Sequence, residues 1–296
     1  MLLLVGLLVG PSGADAQDAA KGAALLAEAR AALGEDDKLR SVKTLDVKGD
    51  FKRSAGRFNL EGELRVRLET PDKLRRDEDM SQPGGGPSIS RTEVLNGATV
   101  WDEGGGGIRG GGIGGRFTRE RRDGGPDLPG GGRARLDPAQ RENLQRRGRQ
   151  ADLARLMLAW LLTADGEVVW VGTAESPDGT ADVLEVTPPN APAMRLFLDS
   201  SAHLPLMITW QGAAPRAVLR RGGRRGGGDD PGPGGRPDGG GPSEATLRMT
   251  LGDYKMVNGV RLPHFMTRGL NGRTIEEWTV DSYRLNPSFR ADVFTK

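Results

Sequence analysis

The chain has 296 residues, with 42 Lys and Arg set against 40 Asp and Glu, a formal charge of +2. So even a balance supplies no global field to draw in nucleic acid or an anionic surface. The absence of Cys excludes disulfides, thiolate metal sites, a thiol nucleophile and the acylated Cys of a lipoprotein anchor. The 46 Gly and 19 Pro are concentrated in a few stretches, which leaves about 200 residues for one domain around one core.

At the N-terminus, Leu2 to Val9 is an apolar run too short to cross a bilayer. Ala14-Asp15-Ala16 follows as an A-x-A cleavage pattern. Together they predict a signal peptide over 1–16 and a mature domain over 17–296, although no Lys or Arg precedes the run. The alternative is an apolar tail. No later run approaches the ~20 residues of a membrane helix, so a soluble, exported and unanchored protein is expected, in the periplasm.

From Asp18 to Leu33, Ala19, Ala23, Leu26, Ala29 and Leu33 recur at helical spacing, and Gly34 stands where a C′ glycine belongs. A strand is predicted over 42–53, with Leu45, Val47 and Phe51 on one face. Between Arg57 and Glu69 the alternation is unbroken. Phe58, Leu60, Gly62, Leu64, Val66 and Leu68 point one way, and charged or polar residues point the other. A strand this long with one apolar face suits a large curved antiparallel sheet better than a compact sandwich. Further strand signals cover 72–80 and 89–102, the latter containing Asn96-Gly97 at a turn and Trp101 beyond it.

Residues 104–136 are dominated by Gly with scattered Arg and Asp, and 212–242 repeat that composition. Both read as disordered insertions, because they hold too little apolar surface to offset ordering entropy. Between them, Asp137-Pro138 opens a helix reaching about Thr163. Its second half, Leu153 to Leu162, is apolar on nearly every side and must be covered on more than one face. Strands are predicted at 166–175, 180–187, 193–199 and 203–211. The chain closes in a meander of 246–257, 260–269 and 273–284, turned by Asn258-Gly259 and Asn271-Gly272, pairs suited to type I′ turns.

The fold class is therefore α+β: one curved antiparallel half-barrel sheet of about eleven strands, with helices covering a concave apolar face. Candidate linings of an apolar cavity are Phe58, Leu60, Leu64, Val66 and Leu68 from the long strand, Trp101 from the hairpin, and Leu156, Met157, Trp160 and Leu161 from the second helix. The helix residues serve equally as plain core.

Chemistry-bearing clusters are sparse. His203 and His264 each stand alone in a strand, short of the three or four ligands of a metal site or the partners of a catalytic triad. No metal, cofactor or catalytic residue is assigned. The acidic runs Asp77-Glu78-Asp79 and Glu276-Glu277 put neighbours on opposite faces of a strand and read as surface charge. The Gly-x-Gly strings after Gly104 lack the Gly-Lys-Ser/Thr element of a phosphate loop. The Arg-Gly tract Leu219 to Gly228 reads as a passive linker, with an arm for anionic headgroups as the alternative.

Several of these segments together carry a family resemblance. The order helix, long strands, the hairpin Asn96-Gly97-Ala98-Thr99-Val100-Trp101, helix, strands, and the ending from Asn286 and Pro287 to Phe294 resembles the LolA-like superfamily of periplasmic lipoprotein carriers. The strand pair over 184–211 is similar as well. The likeness covers about 40–100 and 137–296, and the Gly-rich insertions depart from it. It implies a half-barrel over a hydrophobic cavity and a non-enzymatic carrier or chaperone for lipid or lipoprotein acyl chains. Membrane-associated donor or acceptor proteins would be its partners. A monomer is expected, with no nucleic-acid role. An envelope sensor or protein-interaction module on the same fold is the other reading.

Overall fold

A computed structural model describes residues 13–55, 58–81, 88–104, 137–163, 166–189, 191–213 and 244–296. The two Gly-rich segments lie outside these residues, as does most of the predicted signal peptide; its Ala14-Asp15-Ala16 falls in the first turn of a helix, α1 (Gly13–Leu33). A short α2 (Asp36–Ser41) follows, then five strands: β1 (Thr44–Ala55), β2 (Phe58–Glu69), β3 (Lys73–Ser81), β4 (Ile89–Asn96) and β5 (Thr99–Gly104). After α3 (Pro138–Leu161) come β6 (Glu167–Ser176), β7 (Gly179–Thr187), β8 (Met194–Asp199), β9 (Pro205–Ala213), β10 (Glu244–Val257), β11 (Val260–Leu270) and β12 (Arg273–Leu285).

Among the described residues, twelve strands form one open antiparallel sheet in the order β5-β4-β3-β2-β1-β12-β11-β10-β9-β8-β7-β6. The count exceeds the expected eleven because the Asn96-Gly97 hairpin supplies two strands. The meander turns as expected. Asn258 and Gly259 (φ 49° and 83°) and Asn271 and Gly272 (φ 45° and 81°) occupy the left-handed region that a type I′ turn requires at both central positions. The two ends of the chain meet in the middle of the sheet, where β1 pairs with β12 from Leu45↔Leu285 to Arg53↔Glu276. A bulge between Lys48 and Gly49 shifts the phase of β12, so that Val280 and Tyr283 are both buried.

Both long helices lie on one face, here the inner face. α1 runs along edge strand β6 so closely that a Cβ on Gly22 would come 2.8 Å from the backbone nitrogen of Trp170. α3 starts with a capping box: Gln140 N–H donates to Asp137 Oδ1 at 2.7 Å, and the Gln140 side chain accepts from the Asp137 N–H. Its C-terminus is held from α1, where Arg30 Nη2 donates to the Leu162 carbonyl at 2.9 Å. From Ala151 to Leu161 nearly every side chain of α3 is buried, as a helix apolar on all sides demands.

The outer face is more polar and is partly covered by the C-terminal tail. There Arg75 donates to the Val293 carbonyl at 2.9 Å, and Phe289 packs edge-on against buried Phe294 with ring centroids 5.6 Å apart.

Candidate functional site

Most of the expected lining residues come together. Leu60, Leu64, Val66 and Leu68 of β2 and Leu156, Met157, Trp160 and Leu161 of α3 belong to one continuous buried cluster. Trp160 anchors the helix to the sheet. Its indole N–H donates to the Met266 sulfur at 3.3 Å, and its ring meets Tyr283 edge-on at 6.1 Å. The side chain of Phe58 lies outside the described residues.

Trp101 is a correction. Register ties Leu68, Leu74, Leu95 and Val100 into one inner row, and Arg67, Arg75, Val94 and Trp101 into the adjacent outer row. Trp101 therefore stands on the outer face, 5.9 Å from the guanidinium of Arg75.

The acidic runs need a second correction. Glu78 and Glu276 are not surface charge; their side chains are 2% and 3% exposed. Both face inward, while Asp79 and Glu277 point out. The phase was present in the sequence. In β3, Leu74, Arg76, Glu78 and Met80 alternate, and in β12, Glu276, Trp278 and Val280 do. A charged residue in step with apolar neighbours shares their face.

These carboxylates sit in a network of arginines. Arg53 bridges Glu78 (2.6 Å) and Glu276 (3.2 Å), and Arg76 reaches both at 2.5 Å. Glu276 also accepts from the indole N–H of Trp278. Burial pushes the carboxyls of Glu78 and Glu276 up, but Arg53 and Arg76 outweigh it and hold both below the ordinary glutamate value.

A second knot ties α3 to the edge of the sheet. Arg149 pairs with Glu93 and, at 2.5 Å, with Asp102, and Arg91 also pairs with Glu93. Burial of Glu93 is outweighed by Arg149, Arg91 and Arg76, which bring its carboxyl down to about 2. Further along α3, Arg155 bonds Asp152 at 2.9 Å and lies 4.3 Å over the Trp210 ring.

The inner face thus divides. From β6 to β10 it carries an apolar row, Trp170, Leu184, Leu196, Ile208 and Met249 standing opposite one another in register, with Asp182 and Lys21 at its Trp170 end. On β1, β3, β4 and β12 it carries the ionic network. A separate depression of about 490 Å³ is lined by Asp50, Lys52, Glu61, Glu63 and Asp79 together with Phe51 and Met80, and so is mixed in character. Among the described residues no group of His, Cys, Asp and Glu could hold a metal ion. No described helix is long and apolar enough to cross a membrane.

No protein-family model matches the chain, and no curated protein sequence does. The chain is similar in structure to a LolA superfamily protein from Nitrosomonas europaea, at 11% identity and a TM-score of 0.47 over 93% of this chain and 97% of that one. It is also similar to a putative outer membrane lipoprotein-sorting protein domain from Vibrio parahaemolyticus, at 11% identity and a TM-score of 0.43 over 94% and 97%. Both scores lie below 0.5, so the curved half-barrel is defined by the chain's own strand order rather than by these neighbours.

Proposed function

We propose that this is a non-enzymatic carrier that takes up lipid or lipoprotein acyl chains on the inner face, beneath α3, as an exported protein of the periplasm. The reading is supported by one observation above others. An open sheet presents a continuous apolar half, and its cover among the described residues is α1 and the apolar end of α3. An acyl chain replacing part of that cover would gain ~0.8 kcal/mol per buried CH₂, set against exposure of the α3 side chains that it displaces. The mature domain is then 17–296, with the cleavage after Ala16, and Leu60, Leu64, Val66, Leu68, Leu156, Met157, Trp160 and Leu161 are its chain-contacting residues.

The test is saturable binding of a fluorescent fatty acid or lipopeptide to the delipidated protein. Leu64→Glu and Trp160→Asp weaken it; Glu63→Lys, on an exposed outward side chain, leaves it unchanged. Thermal unfolding of each variant separates lost binding from lost folding. Absence of saturable binding by the folded wild type, or like behaviour of Leu64→Glu and Glu63→Lys, would overturn the carrier reading in favour of an interaction module with a closed core.

A further inference from the structure

Among the described residues, five inner-face guanidiniums have a carboxylate partner: Arg53, Arg76, Arg91, Arg149 and Arg155. Arg268 of β11 has none. It is 4% exposed, and its Nε and Nη1 have no hydrogen-bond partner. The carboxylate opposite it in register, Glu276, is taken up by Arg53, Arg76 and the Trp278 indole. What Arg268 has is the face of Trp278, 4.7 Å from its guanidinium carbon, with Arg76 also over that ring at 4.8 Å.

A guanidinium does not shed its proton in a protein, so burial without a hydrogen-bonded anion leaves a charge that the nearby Glu276 and Asp152 compensate only in part. Burial, and next the nearby charge of Arg76, pull Arg268 below the ordinary arginine value. Arg155 on α3 adds to the same repulsion, and its own Nε has no hydrogen-bond partner. Position supplies the rest. Arg268 stands at the boundary of the two halves of the inner face. Its register row continues through Met249, Ile208, Leu196, Leu184 and Trp170. Five strand spacings of ~4.8 Å make that apolar track roughly 24 Å long.

We infer that Arg268, with Arg155 above it, is an anion-accepting site, and that the ligand is a long-chain amphiphile whose carboxylate or phosphate head sits there while its chain lies along the apolar row. This rests on the carrier reading and narrows its ligand class. The head accepts from a guanidinium whose Nε and Nη1 the protein leaves without a partner, and the chain displaces the last turn of α3, beyond Arg155. Arginine suits either head group, since its planar donors match both.

The experiment compares three sixteen-carbon probes on the delipidated full chain by calorimetry: hexadecanoate, hexadecyl phosphate and neutral hexadecanol. The wild type is expected to bind at least one anionic probe tenfold or more tighter than the alcohol, and the tighter of the two names the head group. Arg268→Met is expected to abolish that preference, to keep alcohol binding within twofold, and to melt no lower than the wild type, since it removes an unpaired buried charge. Equal binding of all three probes by the wild type would leave the carrier reading standing and overturn the anion site. So would an Arg268→Met variant that keeps the preference, or one that loses it only by unfolding. If no probe binds, the carrier reading fails. Titration with inorganic phosphate then decides the site alone: saturation lost in Arg268→Met supports it, and no saturation overturns it.

Discussion

Between β7 and β10 the inner face shows Leu184, Leu196, Ile208 and Met249 in one row; on β1, β3 and β4 it shows Arg53, Arg76, Glu78 and Glu93. The backbone is alike in both regions, and α3 crosses both. Apolar contact is non-directional, so the first region can accept a different cover of similar volume. Charge-assisted hydrogen bonds are directional, so the second fixes where α3 enters through Arg149, Glu93 and Asp102. Side by side, the two give a helix whose entry is fixed by directional bonds and whose second half is packed by apolar contact, with Arg30 holding its last carbonyl.

Substitutions can break that contrast. Trp160→Ala removes the largest fully buried side chain of α3 from its contact with Met266 and Tyr283 and should cost about 3–5 kcal/mol in denaturant unfolding. A loss below about 1 kcal/mol would mean that this end of the helix is not packed. Glu276→Gln leaves Arg53 and Arg76 short of a buried carboxylate and should cost about 3 kcal/mol. Adding Arg268→Met to it should recover part of that loss, because one fewer buried cation then lacks compensation. A double variant less stable than Glu276→Gln alone would show that Arg268 is structural.

Acid should discriminate between the regions as well. The carboxyl of Glu93 is depressed from 4.5 to about 2 in the folded state. Its stabilisation is therefore complete above 4.5 and is lost as pH falls through that interval toward 2. Glu78 and Glu276 act with the same sign. Urea midpoints measured from pH 5 to pH 2.5 should fall, and Glu93→Gln should flatten the curve; parallel curves would remove Glu93 from the account. The smallest effect is expected at the edge of the network. Asp102, 44% exposed, should contribute about 0–1 kcal/mol, so Asp102→Asn should barely move the unfolding midpoint, and less still in high salt.

Much of the architecture was legible before the structure. Alternation in β2 and the two Asn-Gly turns of the meander located their elements to within a residue or two, because period and turn chemistry are local properties. α3 announced its burial through an apolar surface that no single contact could cover. What local pattern could not settle was depth. Val100 and Trp101 are adjacent and both apolar, so only pairing of β5 with β4 decides which of them faces inward. Glu78 and Glu276 read as surface because carboxylates usually are, and their arginine partners come from β1 and β3. The site proposed at Arg268 was hidden for the same reason: an unmet hydrogen-bond donor is a property of neighbours in space.

The pairing of β1 with β12 sets when this molecule can exist. The seam in the middle of the sheet joins residues more than 220 positions apart, such as Arg53 and Glu276. Each flanking run of hairpins can form from contacts near in sequence, but the seam must await β12, a slow, high-contact-order step. Until then Arg53 and Arg76 lack Glu276. A one-residue slip at the seam would turn Glu276 outward and leave them lacking it still. The ionic network thus acts as a proofreader: only β12 paired in the correct register supplies Glu276 to it.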